Sequence, residues 1–311
     1  MLRSTLLYLS NQPHVFRFVR NNRLAKAFAR RFVAGETLDE ALAAVRVLNS
    51  KGITASLDEL GESVSNEREA RATRDSYLRI LDSIAAAGLR ANVSVKLTAL
   101  GLDISEELCV TLMQDLLERA RLHDSFVRVD MESSAYTETT LRLFEERFYP
   151  SFRNHVGIVL QSYLYRTWAD VERAIEVHCR ARLCKGAYKE PPTVAFPDKK
   201  DVDANYEKCM HELLLRGSYP GIATHDPKII SEAKRFAKER QIAADRFEFQ
   251  MLYGVRRDMQ EALVRDGWRM RVYVPFGTQW YPYLMRRLAE RPANVAFMTG
   301  NIMREAFSRR R

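Results

Sequence analysis

Short β-rich runs alternate with longer amphipathic stretches through most of the chain. The runs are Ile53–Leu57, Asn92–Leu97, Phe126–Met131, Val156–Gln161, Ala181–Cys184, Gly221–Thr224, Phe247–Leu252 and Arg271–Pro275. Most are too short for a helix, and several read as Val/Ile-rich on both faces, the pattern of strands buried on both sides of a parallel sheet. The stretches between them are long enough for helical crossovers. In Ser105–Arg121, Leu108, Leu112, Leu116 and Leu117 form one side, and Glu106, Glu107, Asp115 and Glu118 lie elsewhere. This alternation predicts an α/β fold. Eight such units in roughly 260 residues match a closed (β/α)8 barrel of the TIM type. No G-x-G-x-x-G follows the first run, which disfavours a doubly wound open sheet. Ahead of the first run, Leu38, Ala41, Leu42, Val45 and Leu48 recur at helical spacing, and Thr37 with Glu40 forms a capping-box pattern. No stretch reads as a linker. The expected organisation is an N-terminal helical arm over residues 1–50 and a barrel domain over 51–311.

Composition narrows the picture. The chain has 311 residues, 46% hydrophobic and 29% charged, which excludes intrinsic disorder. Lys and Arg total 49 against 40 Asp and Glu, a net charge of +9. Part of that excess sits at the start, where Arg3, Arg17, Arg20, Arg23, Lys26, Arg30 and Arg31 precede the first acid, Glu36. Such a segment reads as a transit peptide, a surface-seeking amphipathic helix or a solvated helix face. No apolar run reaches the roughly 18 residues that a membrane span requires. Cys109, Cys179, Cys184 and Cys209 lack C-x-x-C spacing, so free thiols in a reducing compartment are expected. The positive charge permits nonspecific nucleic-acid binding, but no recognised nucleic-acid motif is present.

A barrel places its active residues at the C-terminal ends of its strands. Polar residues embedded in apolar runs recur there: Asp58, Lys96, Asp130, Gln161, Arg182, Lys185, Thr224, His225, Gln250, Tyr253 and Tyr273. Lys96 has three readings: a partner for a barrel carboxylate such as Asp130, a Schiff-base nucleophile, or an anion anchor. Asp130 and Glu132, two apart, are expected on one face of one strand. No His joins them, so a metal site is not expected. His225, in Ala223-Thr224-His225-Asp226-Pro227, is the one histidine at a predicted strand end, with Pro227 suited to a helix's first turn. Beyond the last run, Tyr283, Arg286, Arg287 and Glu290 fall on a predicted helix, where Tyr283 with Arg286 and Arg287 with Glu290 share faces. The arginines form either a solvated basic face or a fork for a carboxylate or phosphate. The residues alone point to an anionic, small or phosphorylated substrate and leave the chemistry open.

The ordered set VKLTALG, VRVDME, VLQSYL, RLCKGAY, ATHD, FQMLYG, VYVPFG and YLMRRLAE resembles the proline dehydrogenase family, in its bacterial single-function form. The match runs from about Phe32 onward and includes FVAGETLDEAL, which disfavours the transit-peptide reading. The resemblance implies a barrel that binds FAD noncovalently at its mouth and oxidises L-proline to Δ1-pyrroline-5-carboxylate. It assigns Asp130, Gln161, Arg182, Lys185, Gly186, Tyr188, Thr224 and His225 to the cofactor side, with Arg182 beside the flavin ring. It assigns Lys96, Leu252, Tyr273, Tyr283, Arg286, Arg287 and Glu290 to the substrate side, with Lys96, Asp130, Arg182 and Tyr273 as the catalytic group. Glu62 resembles a gate residue that pairs with Arg286. A quinone is the implied electron acceptor, and a Δ1-pyrroline-5-carboxylate dehydrogenase is a candidate partner. The implied setting is cytoplasmic, with the basic arm as a candidate contact to the inner face of the membrane. Lys189 departs from a Trp that many members place on the adenine, which implies that the adenine is held differently or that FAD is bound less tightly. Two rival readings are a dehydrogenase for hydroxyproline or another cyclic imino acid, and a Schiff-base aldolase.

Overall fold

The computed structural model describes residues 29–61 and 64–290, side chains of 286–290 excepted. Eight parallel strands close into a barrel in sequence order. They are β1 Thr54–Glu59, β2 Ala91–Val95, β3 Val127–Val129, β4 Val156–Gln161, β5 Arg180–Cys184, β6 Gly221–Ala223, β7 Glu248–Leu252 and β8 Met270–Phe276. The β8–β1 pairing, from Thr54↔Arg271 to Glu59↔Phe276, shuts the ring. Each predicted run contains or overlaps one of these strands.

Helices between the strands supply the shell. The first, α1 Leu38–Ser50, opens with the capping box predicted from Thr37 and Glu40, and packs on β1 and β8. Next come α2 Glu67–Ala86, α3 Glu106–Leu122 and α4 Ser134–Leu143, with Ser105 capping α3. They are followed by α5 Thr167–Glu176, α6 Lys199–Arg216, α7 Pro227–Glu239, α8 Arg257–Arg265 and α9 Trp280–Glu290. Pro227 occupies the first turn of α7, where its missing N–H has no intrahelical partner to lose. Among the described residues, no helix is long and apolar enough to cross a membrane.

The arm threads onto the barrel through backbone bonds. Ala34 N–H donates to Pro275 O at 2.8 Å, and Gly277 N–H donates to Gly35 O at 3.0 Å. Gly254 makes this path possible: a Cβ there would lie 1.7 Å from the Arg31 carbonyl oxygen.

One expectation about the strands is corrected. Only β4, up to Leu160, and the three-residue β6 are apolar on both faces. Elsewhere polar and apolar residues alternate, as in Asn92-Val93-Ser94-Val95, Arg128-Val129-Asp130 and Glu248-Phe249-Gln250-Met251. Alternation sends successive side chains to opposite faces. Leu57, Val93, Val95, Val127, Val129, Phe249 and Val272 are buried in the main core with Leu112, Leu116, Leu117, Ile80 and Ala233 of the helices. The intervening polar residues point inward. Bonds between strands that are not neighbours, β5 to β2 and β8 to β3, can only cross the lumen.

Candidate functional site

The strand ends bring Asp58, Lys96, Asp130, Arg182, Leu252 and Tyr273 into one layer at the mouth. Arg182 is buried, 6% exposed. All three of its nitrogens are engaged: Nη1 to Asp130 Oδ1 at 2.7 Å, Nε to Gln250 Oε1 at 2.6 Å and Nη2 to Ser94 Oγ at 3.1 Å. Its guanidinium also sits 5.3 Å from the Tyr273 ring centre. Tyr273 Oη donates to Asp130 Oδ2 at 2.9 Å, so Asp130 ties the arginine and the tyrosine together. Burial, with Asp130 and Asp58 adding to it, holds the Tyr273 hydroxyl well above its usual range, so it stays a donor.

Lys96 borders this triad. Its Nζ lies 3.5 Å from Asp58 Oδ1, which also accepts from Tyr77 Oη at 3.1 Å. Of the readings open to Lys96, a barrel carboxylate partner is found, and it is Asp58 rather than the Asp130 named as an example. Asp130 acts on Lys96 through its field, its own oxygens being committed to Arg182 and Tyr273. Burial opposes the charge on Lys96, but Asp58 and Asp130 outweigh it and hold the ammonium above the usual lysine range. A Schiff-base lysine must instead lose its proton readily, so this environment disfavours the aldolase role. Burial in turn lifts Asp58 above the ordinary carboxylate range, against the pull of Lys96.

Asp130 and Glu132 do not share a strand face, because β3 ends at Val129. Glu132 turns away and accepts from Thr98 N–H at 3.2 Å and Thr98 Oγ1 at 2.7 Å. Gln161 Nε2 donates to the Glu132 carbonyl at 2.8 Å, fixing the loop after β3 to the end of β4.

The far side of the mouth is built by the loops after β5 and β6. Lys185 Nζ contacts Asp203 at 2.6 Å and Asp226 at 3.1 Å. Buried Thr224 accepts from Asp226 N–H at 3.1 Å through Oγ1. His225 Nε2 accepts from the Leu252 N–H at 2.9 Å, which places the ring proton on Nδ1. Gly186 has φ +117°, and a Cβ there would fall 2.5 Å from the Tyr163 ring. Glycine therefore lets this loop fold tightly over β4. Glu190 secures the same loop by accepting from Tyr163 Oη at 3.3 Å and Ser134 N–H at 2.8 Å. Tyr188 stands at the outer rim, 37% exposed.

Tyr283 is buried on α9 in a satellite cluster with Ala29, Val33, Leu60, Trp280 and Leu284. Arg286, Arg287 and Glu290 lie on the same helix with their side chains outside the described residues, and Glu62 lies outside the described residues altogether. Sequence reasoning passed over Asp58 as a partner for Lys96, placed Gln250 at a strand end without giving it a role, and missed Tyr77, Ser94 and Glu248 altogether. Ser94 and Gln250 precede Lys96 and Leu252 by two positions, so strand alternation carried their signal. Tyr77 reaches the mouth from α2 and had none.

The proline dehydrogenase family model matches residues 41–300. Proline dehydrogenase 1 of Bacillus subtilis is 42% identical over 98% of this chain and 100% of its own length. Proline dehydrogenase of Deinococcus radiodurans is 38% identical over 98% of each chain. Among solved structures, proline utilization A from Bdellovibrio bacteriovorus, inactivated by N-propargylglycine, superposes with a TM-score of 0.81 at 29% identity. That match covers 89% of this chain and 34% of that larger protein, so the chain spans about a third of it.

Proposed function

The chain belongs to the proline dehydrogenase family and is an oxidoreductase of proline catabolism; from that premise we propose that it uses FAD to oxidise L-proline to Δ1-pyrroline-5-carboxylate. The observation that carries this reading is Arg182, a cation locked by three partners at the bottom of a mouth bordered by charged Lys96. A fixed positive charge there suits a ring that becomes electron-rich on reduction.

The residues present fit FAD. Gln161, Thr224 and Arg182 are buried polar groups at the strand ends. Lys185 offers an ammonium that a phosphate takes in place of one of its two carboxylates. His225 presents a ring whose tautomer is fixed, and Gly186 keeps its loop close to the barrel. When bound, FAD supplies the acceptor for the hydride that leaves the proline carbon next to nitrogen.

The chain's own residues position and polarise. Lys96 holds the substrate carboxylate, joined by Arg286 and Arg287. Tyr273 and Leu252 pack on the pyrrolidine ring, and Tyr283 closes the side next to them. Asp130 keeps Tyr273 and Arg182 in register. Glu290 buttresses the arginines, and Glu62 with Arg286 gates entry. The rate rises with pH, because the substrate nitrogen must be neutral to release a hydride. A quinone reoxidises the flavin, with the basic arm touching anionic lipid in the cytoplasm. A Δ1-pyrroline-5-carboxylate dehydrogenase consumes the product.

An absorption spectrum before and after anaerobic L-proline tests this. A flavin spectrum that proline bleaches, with trans-4-hydroxyproline much slower, is the expected result. A protein that takes up no flavin defeats the cofactor assignment, and one that bleaches faster with hydroxyproline reassigns the substrate.

A further inference from the structure

The wall facing Asp130 continues from Arg182 down to the floor of the barrel. Gln250 is the link. Its Oε1 accepts from Arg182 Nε at 2.6 Å, and its Nε2 donates to Glu248 Oε1 at 2.6 Å. A carboxamide has one accepting end and one donating end. Arg182 only donates and the Glu248 carboxylate only accepts, so the polarity of the amide is imposed from below. Glu248 is fixed in turn by Arg271 Nε at 2.6 Å and Tyr219 Oη at 3.1 Å. Arg271 is anchored to Ala55 O at 2.7 Å and Asn92 Oδ1 at 3.1 Å. Glu248 and Gln250 are both buried, 3% and 4% exposed.

Folding alone does not call for this column. Bulky branched residues commonly fill barrel interiors, and well-packed apolar residues often match or exceed a buried ion pair in stability. What the column does achieve is a guanidinium with no free rotation, its third support coming from residues remote from the mouth.

We propose that Gln250 and Glu248 are positioning residues for Arg182: they hold its charge at the floor of the mouth and thereby set how strongly the site favours an electron-rich flavin ring. This deepens the FAD-dependent function proposed above and rests on it. The coupling works through distance, since a charge in a low-dielectric site loses effect as it moves away.

The test uses full-length protein reconstituted with saturating FAD and titrated with sulfite. Sulfite adds through its sulfur lone pair to the oxidised ring, bleaches it and leaves negative charge on it, so its affinity reads nearby positive charge. Gln250→Met keeps length and volume but removes both contacts. It is expected to weaken sulfite binding by about tenfold or more with FAD still bound. In Glu248→Gln, Oε1 can still accept from Gln250 and Arg271, and the new amide donates to Tyr219 Oη, so the chain up to Arg182 stays intact. Its melting temperature is expected to fall, because Arg271 loses its countercharge, while sulfite binding stays near wild type, a split that a merely structural role does not produce. Wild-type sulfite affinity in Gln250→Met overturns the proposal. If that variant does not fold, Gln250→Asn, one methylene too short to reach both partners, takes its place, and wild-type affinity in it overturns the proposal. A wild-type protein that takes up no FAD fails before any variant is compared, and that failure belongs to the functional reading.

Discussion

The two faces of the barrel wall follow opposite rules. Outside, between strands and helices, Leu57, Val93, Val129 and Leu116 are completely buried in a continuous apolar core. Inside, Ser56, Asp58, Ser94, Arg182, Glu248 and Gln250 are just as deeply buried, yet all are polar. The outer face is stabilised by removal of apolar area from water, which is nondirectional. The inner face depends on individual partners, because a buried charge without one is strongly destabilising. One chain alternates between these rules residue by residue: Leu57 serves the fold and Asp58, next to it, serves the mouth. Substitutions on the two faces should therefore fail in different ways.

The largest expected effect is on the inner face. Arg182→Met leaves Asp130, Gln250 and Ser94 without their common partner. It should destabilise the protein by about 3–5 kcal/mol, as breaking a buried pair does. It should also lower kcat by about 10²–10³, as loss of a preorganised charge-stabilising donor does. Urea unfolding and steady-state kinetics with proline check both. On the outer face, Leu57→Ala should destabilise by about 2–5 kcal/mol through the cavity it leaves. Its kcat/KM per folded molecule should stay at the wild-type value, and a fall there would erase the distinction between the faces.

Smaller effects sharpen the comparison. Lys96→Met leaves Asp58 buried without its countercharge and should destabilise by about 1–3 kcal/mol. The folded state raises the lysine's pKa, so the stability its charge contributes is fully present below the unfolded value of about 10.5. It is lost only as pH rises through the higher folded value. Unfolding measured from pH 7 to pH 10 should thus show a constant difference between the two proteins. Tyr273→Phe removes one hydrogen bond to Asp130 and should cost about 0.5–1.5 kcal/mol, with a several-fold loss of kcat/KM. At the surface, Arg235, about half exposed, pairs with Glu232 and Glu239 on α7. Arg235→Gln should leave the urea midpoint and the kinetics unchanged, since exposed pairs are screened.

The fold was legible because each strand is a short β-rich run between amphipathic helices, and eight of them leave few closed arrangements. The capping box at Thr37 and the proline at 227 are local signals, and both appear where expected. The placement of Lys96, Asp130, Arg182, His225 and Tyr273 at strand ends followed from the barrel itself. Their pairings did not follow. Arg182 and Ser94 are 88 positions apart, and Tyr273 and Asp130 are 143 apart. Alternation says that such residues face the lumen, but not which of them meet across it. Lys96 illustrates this: Asp130 and Asp58 were both at hand in the sequence, and only the closed barrel selects Asp58. Nor does any signal in VRVDME show that β3 ends at Val129 and that Glu132 then accepts from Thr98.

The account rests on the inner face carrying the chemistry while the outer face carries the fold. The most direct test is the rate of anaerobic flavin bleaching by L-proline in Arg182→Met and Leu57→Ala, each loaded with FAD and measured well below its unfolding midpoint. The expected result is a rate near wild type for Leu57→Ala and a rate lower by about 10²–10³ for Arg182→Met. Equal rates in the two variants would contradict it.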